Sequence, residues 1–130
     1  MGRWRDGTGV LRVAGGADVG VALEIAASCR TRTRGLLGRD GVQGALLLTP
    51  ASSVHTFRMR FAIDVAHLDR ELRVIAVTTM RPGRLGLPRP RARHVLEAEA
   101  GQMAGWGLRP GVRLVIEAGG REATGQDLRT

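Results

Sequence analysis

Residues 54–69, VHTFRMRFAIDVAHLD, alternate with a period of two over a longer run than any other part of the chain. His55, Phe57, Met59, Phe61, Ile63, Val65 and His67 take the odd positions; Thr56, Arg58, Arg60 and Asp64 stand among the even ones, with Ala62, Ala66 and Leu68. Successive side chains of a strand point to opposite faces, so the pattern predicts one apolar face with a histidine capping each end near the surface. A single strand of that length would span about 50 Å at roughly 3.3 Å per residue, too long for a small domain. The run is therefore expected to bend near Arg60 to Ile63. It would give two strands that supply Phe57, Met59, Phe61, Ile63 and Val65 to the core and place His55 and Asp64 at the rim of a pocket. Asp69, Arg70 and Glu71 make a turn, and 72–80, LRVIAVTTM, is the hairpin partner.

The rest of the chain supplies shorter elements. Val10 to Ala14 predicts a strand, Gly15, Gly16 and Asp18 a turn, and Val21 to Ala26 a better alternating strand. SCRTRTRGLLGR (28–39) predicts a short helix with Ser28 or Thr31 as N-cap and Gly38 near its C-cap. Its early arginines oppose the helix dipole, so packing of Leu36 and Leu37 must hold it. GALLLT (44–49) reads as a buried strand closed by Pro50. RPGRLGLPRPRAR (81–93) can only be an irregular loop, since three prolines remove donors and fix φ. Strands over His94 to Glu99 and Val112 to Glu117 flank a helical turn over Gly101 to Trp106. The expected fold class is mainly β: a single-domain β-sandwich or barrel, jelly-roll-like, with one or two short helices. Its body spans 10–118, between a flexible N-terminus (1–9) and a flexible tail (119–130).

Composition narrows the partners. The 130 residues carry a net charge of +8, and all twenty basic residues are arginine, which fits either a basic surface or a codon bias. That charge favours anionic partners: an acidic protein, an anionic ligand, a membrane face or nucleic acid. Only Trp4, Phe57, Phe61 and Trp106 are aromatic, too few for a base-stacking platform, so nucleic acid is the weakest of these. Cys29 is alone and can form neither an intrachain disulfide nor a thiolate zinc cluster. The N-terminus lacks the apolar core of a signal peptide, and no run approaches the roughly 20 apolar residues of a membrane span. A cytoplasmic, soluble monomer without a cofactor is the expectation.

Four segments in order, RTRGLLGR (32–39), AIDVAHLD (62–69), HVLEAEAG (94–101) and WGLRPGVRL (106–114), resemble the bacterial and archaeal family called domain of unknown function 192. The resemblance spans about residues 20–117. It implies a compact, mainly β fold of jelly-roll or barrel type with short helices, and it carries no established activity. Asp64, Glu97, Gly35, Gly101, Gly107 and Gly111 match the family pattern. Where many members have Trp-Met-Lys-Asn-Thr, this chain has His55-Thr56-Phe57-Arg58-Met59, and Ala62 replaces a proline, so it is similar to a His-Thr-Phe subgroup.

Candidate chemistry is sparse. A pocket or catalytic site would draw on His55, Arg58, Asp64, His94 and Glu97, the first two and Asp64 from the alternating run. The plain alternative is that Asp64 and Glu97 accept backbone hydrogen bonds or pair with arginines. No His-x-His or His-x-x-x-His spacing suggests a metal, and no nucleophile motif surrounds the serines or Cys29. Two arginine clusters offer anion binding: Arg32, Arg34 and Arg39 in the helix segment, and Arg84, Arg89 and Arg91 in the loop. If the loop folds over the helix they would form one basic rim. The favoured reading is a small binding or interaction module whose pocket lies between the 54–69 strands and the 81–93 loop, ahead of a hydrolase-like or metal-assisted enzyme.

Overall fold

In the computed structural model, which describes residues 4–15 and 20–118, the strand-period segments join one seven-stranded sheet curled into a half-barrel. The elements are β1 (Gly7–Val13), β2 (Val21–Ala26), α1 (Cys29–Arg34), β3 (Ala45–Leu48), β4 (Ile63–Leu68), β5 (Val74–Met80), β6 (His94–Glu99), α2 (Gln102–Gly105) and β7 (Leu114–Ala118). They lie in the order β5-β4-β6-β3-β2-β1-β7. Every neighbouring pair is antiparallel except β2 and β3, which the α1 crossover makes parallel. The tail expected over 119–130 lies outside the described residues.

The sheet curls until its two edge strands touch at one end. Val74 N–H donates to the Val112 carbonyl at 2.8 Å, Gly111 N–H to Val74 at 2.9 Å and Leu114 N–H to Leu72 at 2.9 Å. This closure encloses a first core of Leu11, Leu23, Leu47, Leu68, Leu96, Met103 and Leu114 inside the curl. A second core lies on the outer face of the same central strands. There Ile63, Val65, Val95 and Leu46 meet Leu36, Val42, Val54 and Met59 from the connecting segments. Central strands buried on both faces lose the polar alternation of a one-sided strand. All six residues of β4 are buried.

Local chemistry explains the boundaries. The Ser28 hydroxyl caps α1 by accepting from Thr31 N–H at 3.2 Å, and Gly35, at φ 47°, ends it before Gly38. The Asp6 carboxylate, just ahead of β1, holds the same helix start, accepting from Ala27 N–H at 2.6 Å, Ser28 N–H at 2.8 Å and the Thr31 hydroxyl at 2.7 Å. Those donors, Ser28 N–H first, hold Asp6 well below the usual carboxylate range. Gly44 enters β3 at φ 71°, where a Cβ would strike the Ala22 carbonyl oxygen, so only glycine fits.

The first half of the alternating run departs from the expected strand. The break before Ile63 is present, and β5 is the hairpin partner of β4. Upstream, however, only His55 makes a bridge, to Leu85, and a turn at Phe57 and Arg58 carries Arg58 to φ 65°. Phe57, expected in the core, is 45% exposed and stacks on the His55 ring at 5.0 Å. The cause is Thr56. Its backbone N–H donates to the Arg84 carbonyl, its carbonyl accepts from Gly83 N–H, and its buried hydroxyl bonds the Arg81 carbonyl at 2.5 Å and Arg84 N–H at 2.8 Å. The segment satisfies its backbone against the 81–84 turn rather than against a strand.

Candidate functional site

The sheet separates the sequence candidates. Asp64 lies opposite Ala98 across β4 and β6, so it shares the inner face with Leu96 and His94, while Glu97 points to the outer face. His55 stands in the exposed turn segment, and Arg58 beside it is also exposed.

Asp64 is fully engaged in holding structure. It accepts from the Thr79 hydroxyl at 2.7 Å, Gly101 N–H at 2.8 Å and Met103 N–H at 3.1 Å, which fastens α2 to the sheet. His94 is buried with its Nδ1 2.7 Å from the Thr49 hydroxyl and the Trp4 ring edge-on at 5.5 Å. Burial, opposed by Asp69 and assisted by Arg93, lowers its pKa. Glu97 is 4% exposed and has no hydrogen-bond partner among the described residues. It lies between Leu46 and Val65 on the neighbouring strands, and burial raises its carboxyl to about 7.

A cavity of about 440 Å³ opens where the 81–89 loop crosses the outer face of β4 and β5. Its lining includes Val54, Met80, Leu85 and Leu87, Thr78 and Thr79 of β5, and Arg81, Arg84 and Arg89 as cations. No acidic residue belongs to it. His67 lines the cavity from β4, buried at 3% exposure, and neither ring nitrogen has a hydrogen-bond partner among the described residues. Desolvation, then the charge of Arg89, lowers the His67 pKa and favours the uncharged imidazole. The Arg89 Nε is likewise buried and unpartnered.

Two of the six arginines proposed for anions, Arg84 and Arg89, thus converge on one cavity. Arg91 lies instead with Arg93, Asp69, Arg70 and Glu71 around a smaller depression of about 280 Å³, where carboxylates offset the charge. Arg32 donates to the Pro50 carbonyl at 3.0 Å, Arg39 forms a two-pronged ion pair with Glu24 at 2.8 and 3.2 Å, and Arg34 is exposed. None of these three lines the cavity. His67 is the residue that sequence reasoning left out of the site. Its place on the odd-numbered face was legible, but it looked like a surface cap, whereas β4 is an interior strand and the loop roofs its end.

The fold defines a mainly β half-barrel with a basic loop laid over its outer face. The chain belongs to the DUF192 family, described as Uncharacterized ACR, whose profile matches residues 10–116. It is 34% identical over 84 residues to a UPF0127 protein of Pyrococcus horikoshii, covering 61% of this chain and 73% of the relative. A UPF0127 protein of Pyrococcus furiosus is 27% identical over 110 residues, covering 81% and 95%. A solved structure from Sinorhizobium meliloti superposes with a TM-score of 0.75 at 18% identity, covering 88% of this chain and 98% of that one. A protein of unknown function from Novosphingobium aromaticivorans gives 0.68 at 18% identity, covering 83% of each. At such identity the two structures share the fold alone.

Proposed function

We propose that this protein is a binding module that takes a small anionic ligand with an apolar portion into the cavity beneath the 81–89 loop. The observation that carries the reading is His67, a buried imidazole with both nitrogens unpartnered in a cavity lined by three arginines and no acid. Buried polar groups are nearly always satisfied, and an orphan in a cavity points to a missing partner. A carboxylate or phosphate would accept from His67 and from Arg89, whose Nε is also without a partner. The apolar wall of Val54 and Met80 would receive the rest of the ligand. The enzyme reading has less support, because Asp64 and His94 project to the face opposite Glu97 and Asp64 is committed to α2.

Calorimetric titration with octyl phosphate, octanoate, inorganic phosphate and octanol tests the reading. The two amphiphilic anions should bind and the alcohol should not. Arg89→Gln and His67→Phe should each weaken octyl phosphate about tenfold, the worth of one charge-assisted hydrogen bond. Absence of binding by both anions at millimolar concentration, or variants that bind as tightly as the parent, would refute it.

A further inference from the structure

We propose that the loop over residues 81–93, together with the turn at Phe57 and Arg58, forms a docking surface for an anionic lipid bilayer. Leu85 is 71% exposed, Leu87 78% and Phe57 45%. A lone exposed leucine is ordinary, but these three lie on two segments that meet at the bridge between His55 and Leu85. His55 bridges to Leu85 on one side and stacks on Phe57 on the other. Leu85 and Leu87 flank Gly86, whose N–H donates to the Val54 carbonyl at 2.8 Å and whose Cβ position is closed by that same oxygen at 3.0 Å. The backbone is pressed onto the body at Gly86, and the two leucines are held outward.

The loop is also tied down on both sides of the leucines. Thr56 holds it at Arg81, Gly83 and Arg84, and the Ser52 carbonyl accepts from Arg89 N–H at 3.0 Å. Apolar side chains fixed in water by a pinned backbone cannot withdraw into the core. Residues 81–93 carry five arginines and no acid, and Arg58 adds another in the adjoining segment, where Arg60 is paired with Asp40 at 3.0 Å. Arg81, Arg84 and Arg58 are exposed. Exposed leucines on a segment that carries exposed cations match a bilayer bearing anionic headgroups.

A protein partner fits less well. A stable protein interface buries about 800 Å² on each side with close shape complementarity, whereas three side chains beside a loop supply a small contact. A bilayer demands depth and charge rather than shape. No helix among the described residues is long and apolar enough to cross a membrane.

Flotation of the full chain with phosphatidylcholine vesicles containing about a third phosphatidylglycerol tests the proposal. The parent should float with these vesicles and stay behind with pure phosphatidylcholine. Leu85→Ser combined with Leu87→Ser should lower the bound fraction about tenfold at unchanged net charge, and thermal melts should confirm that this exposed pair leaves the fold intact. His67→Phe should bind vesicles as the parent does, which separates this surface from the cavity beneath it. Failure to bind the anionic vesicles, equal binding to neutral ones, or undiminished binding by the serine variant would each overturn the proposal. The last result would reduce the effect to adsorption by net charge.

Discussion

Replacing Glu97 with glutamine should remove a pH-dependent destabilisation built into the outer face of the sheet. The side chain is 4% exposed between Leu46 and Val65 and has no hydrogen-bond partner among the described residues. Burial raises its folded pKa to about 7 from 4.5. The folded chain therefore keeps a proton that the unfolded chain releases, and stability falls as pH rises through that interval. Each tenfold change in acidity is worth about 1.4 kcal/mol, so the penalty reaches about 3 kcal/mol above pH 7 and is absent below pH 4.5. Urea denaturation of parent and Glu97→Gln at intervals from pH 4 to 8.5, followed by Trp4 and Trp106 fluorescence, measures this directly. The other ionisable groups, Asp6 among them, titrate in both proteins and cancel in the difference. The advantage of the variant should grow with pH and level off near pH 8. A flat difference, or one that grows toward acid, would show that Glu97 is solvated or paired in the folded chain.

Asp64→Asn leaves the fold with one acceptor where three donors converge, and it should cost about 2–3 kcal/mol and lower Tm by about 10 °C. Circular dichroism melts decide it, and an unchanged Tm would mean that α2 is held by Met103 packing alone. Thr56→Val preserves side-chain shape while removing the hydroxyl that joins Arg81 and Arg84. The loss should be about 1–2 kcal/mol, and limited trypsin digestion should cut at Arg84 faster than in the parent. Equal rates would place the tether in the backbone bonds of Thr56.

Regular strands were legible where period and boundary agreed. His94 to Glu99 and Val21 to Ala26 coincide with β6 and β2, and the prolines of 81–93 marked the loop. The helix cap was legible to within two candidates, Ser28 and Thr31, of which Ser28 is the one used, because an N-cap is a local interaction. The 54–62 segment was not, since its alternation is real but its partner is a turn about 25 residues away, held by the backbone and the hydroxyl of Thr56. β1 begins at Gly7, ahead of the expected Val10, because its register is set by β2 and β7. The parallel β2–β3 pair and the Asp6 anchor depend on long-range geometry in the same way. Among site residues, Arg84 and Arg89 could be named from a charge cluster. Their separation from Arg91 could not, because Asp69 and Glu71 beside Arg91 come from a different hairpin.

The division between structure and function follows the two faces of β4 and β6. On the inner face the buried polar groups are satisfied: Asp64 accepts three hydrogen bonds, and His94 lies within hydrogen-bonding distance of Thr49. On the outer face His67 is not: His67 and Glu97 both project there, opposite Val95 and Val65 respectively, and both ring nitrogens of His67 are buried without a hydrogen-bond partner among the described residues. A buried group left unsatisfied lowers stability, and a fold that needed only a core could place an aliphatic side chain at either position. The inner face closes the half-barrel with its polar groups spent on holding α2 and β3. The outer face keeps His67 uncompensated in the cavity that Arg81, Arg84 and Arg89 line. This asymmetry between the two faces is the observation on which the proposed ligand site rests.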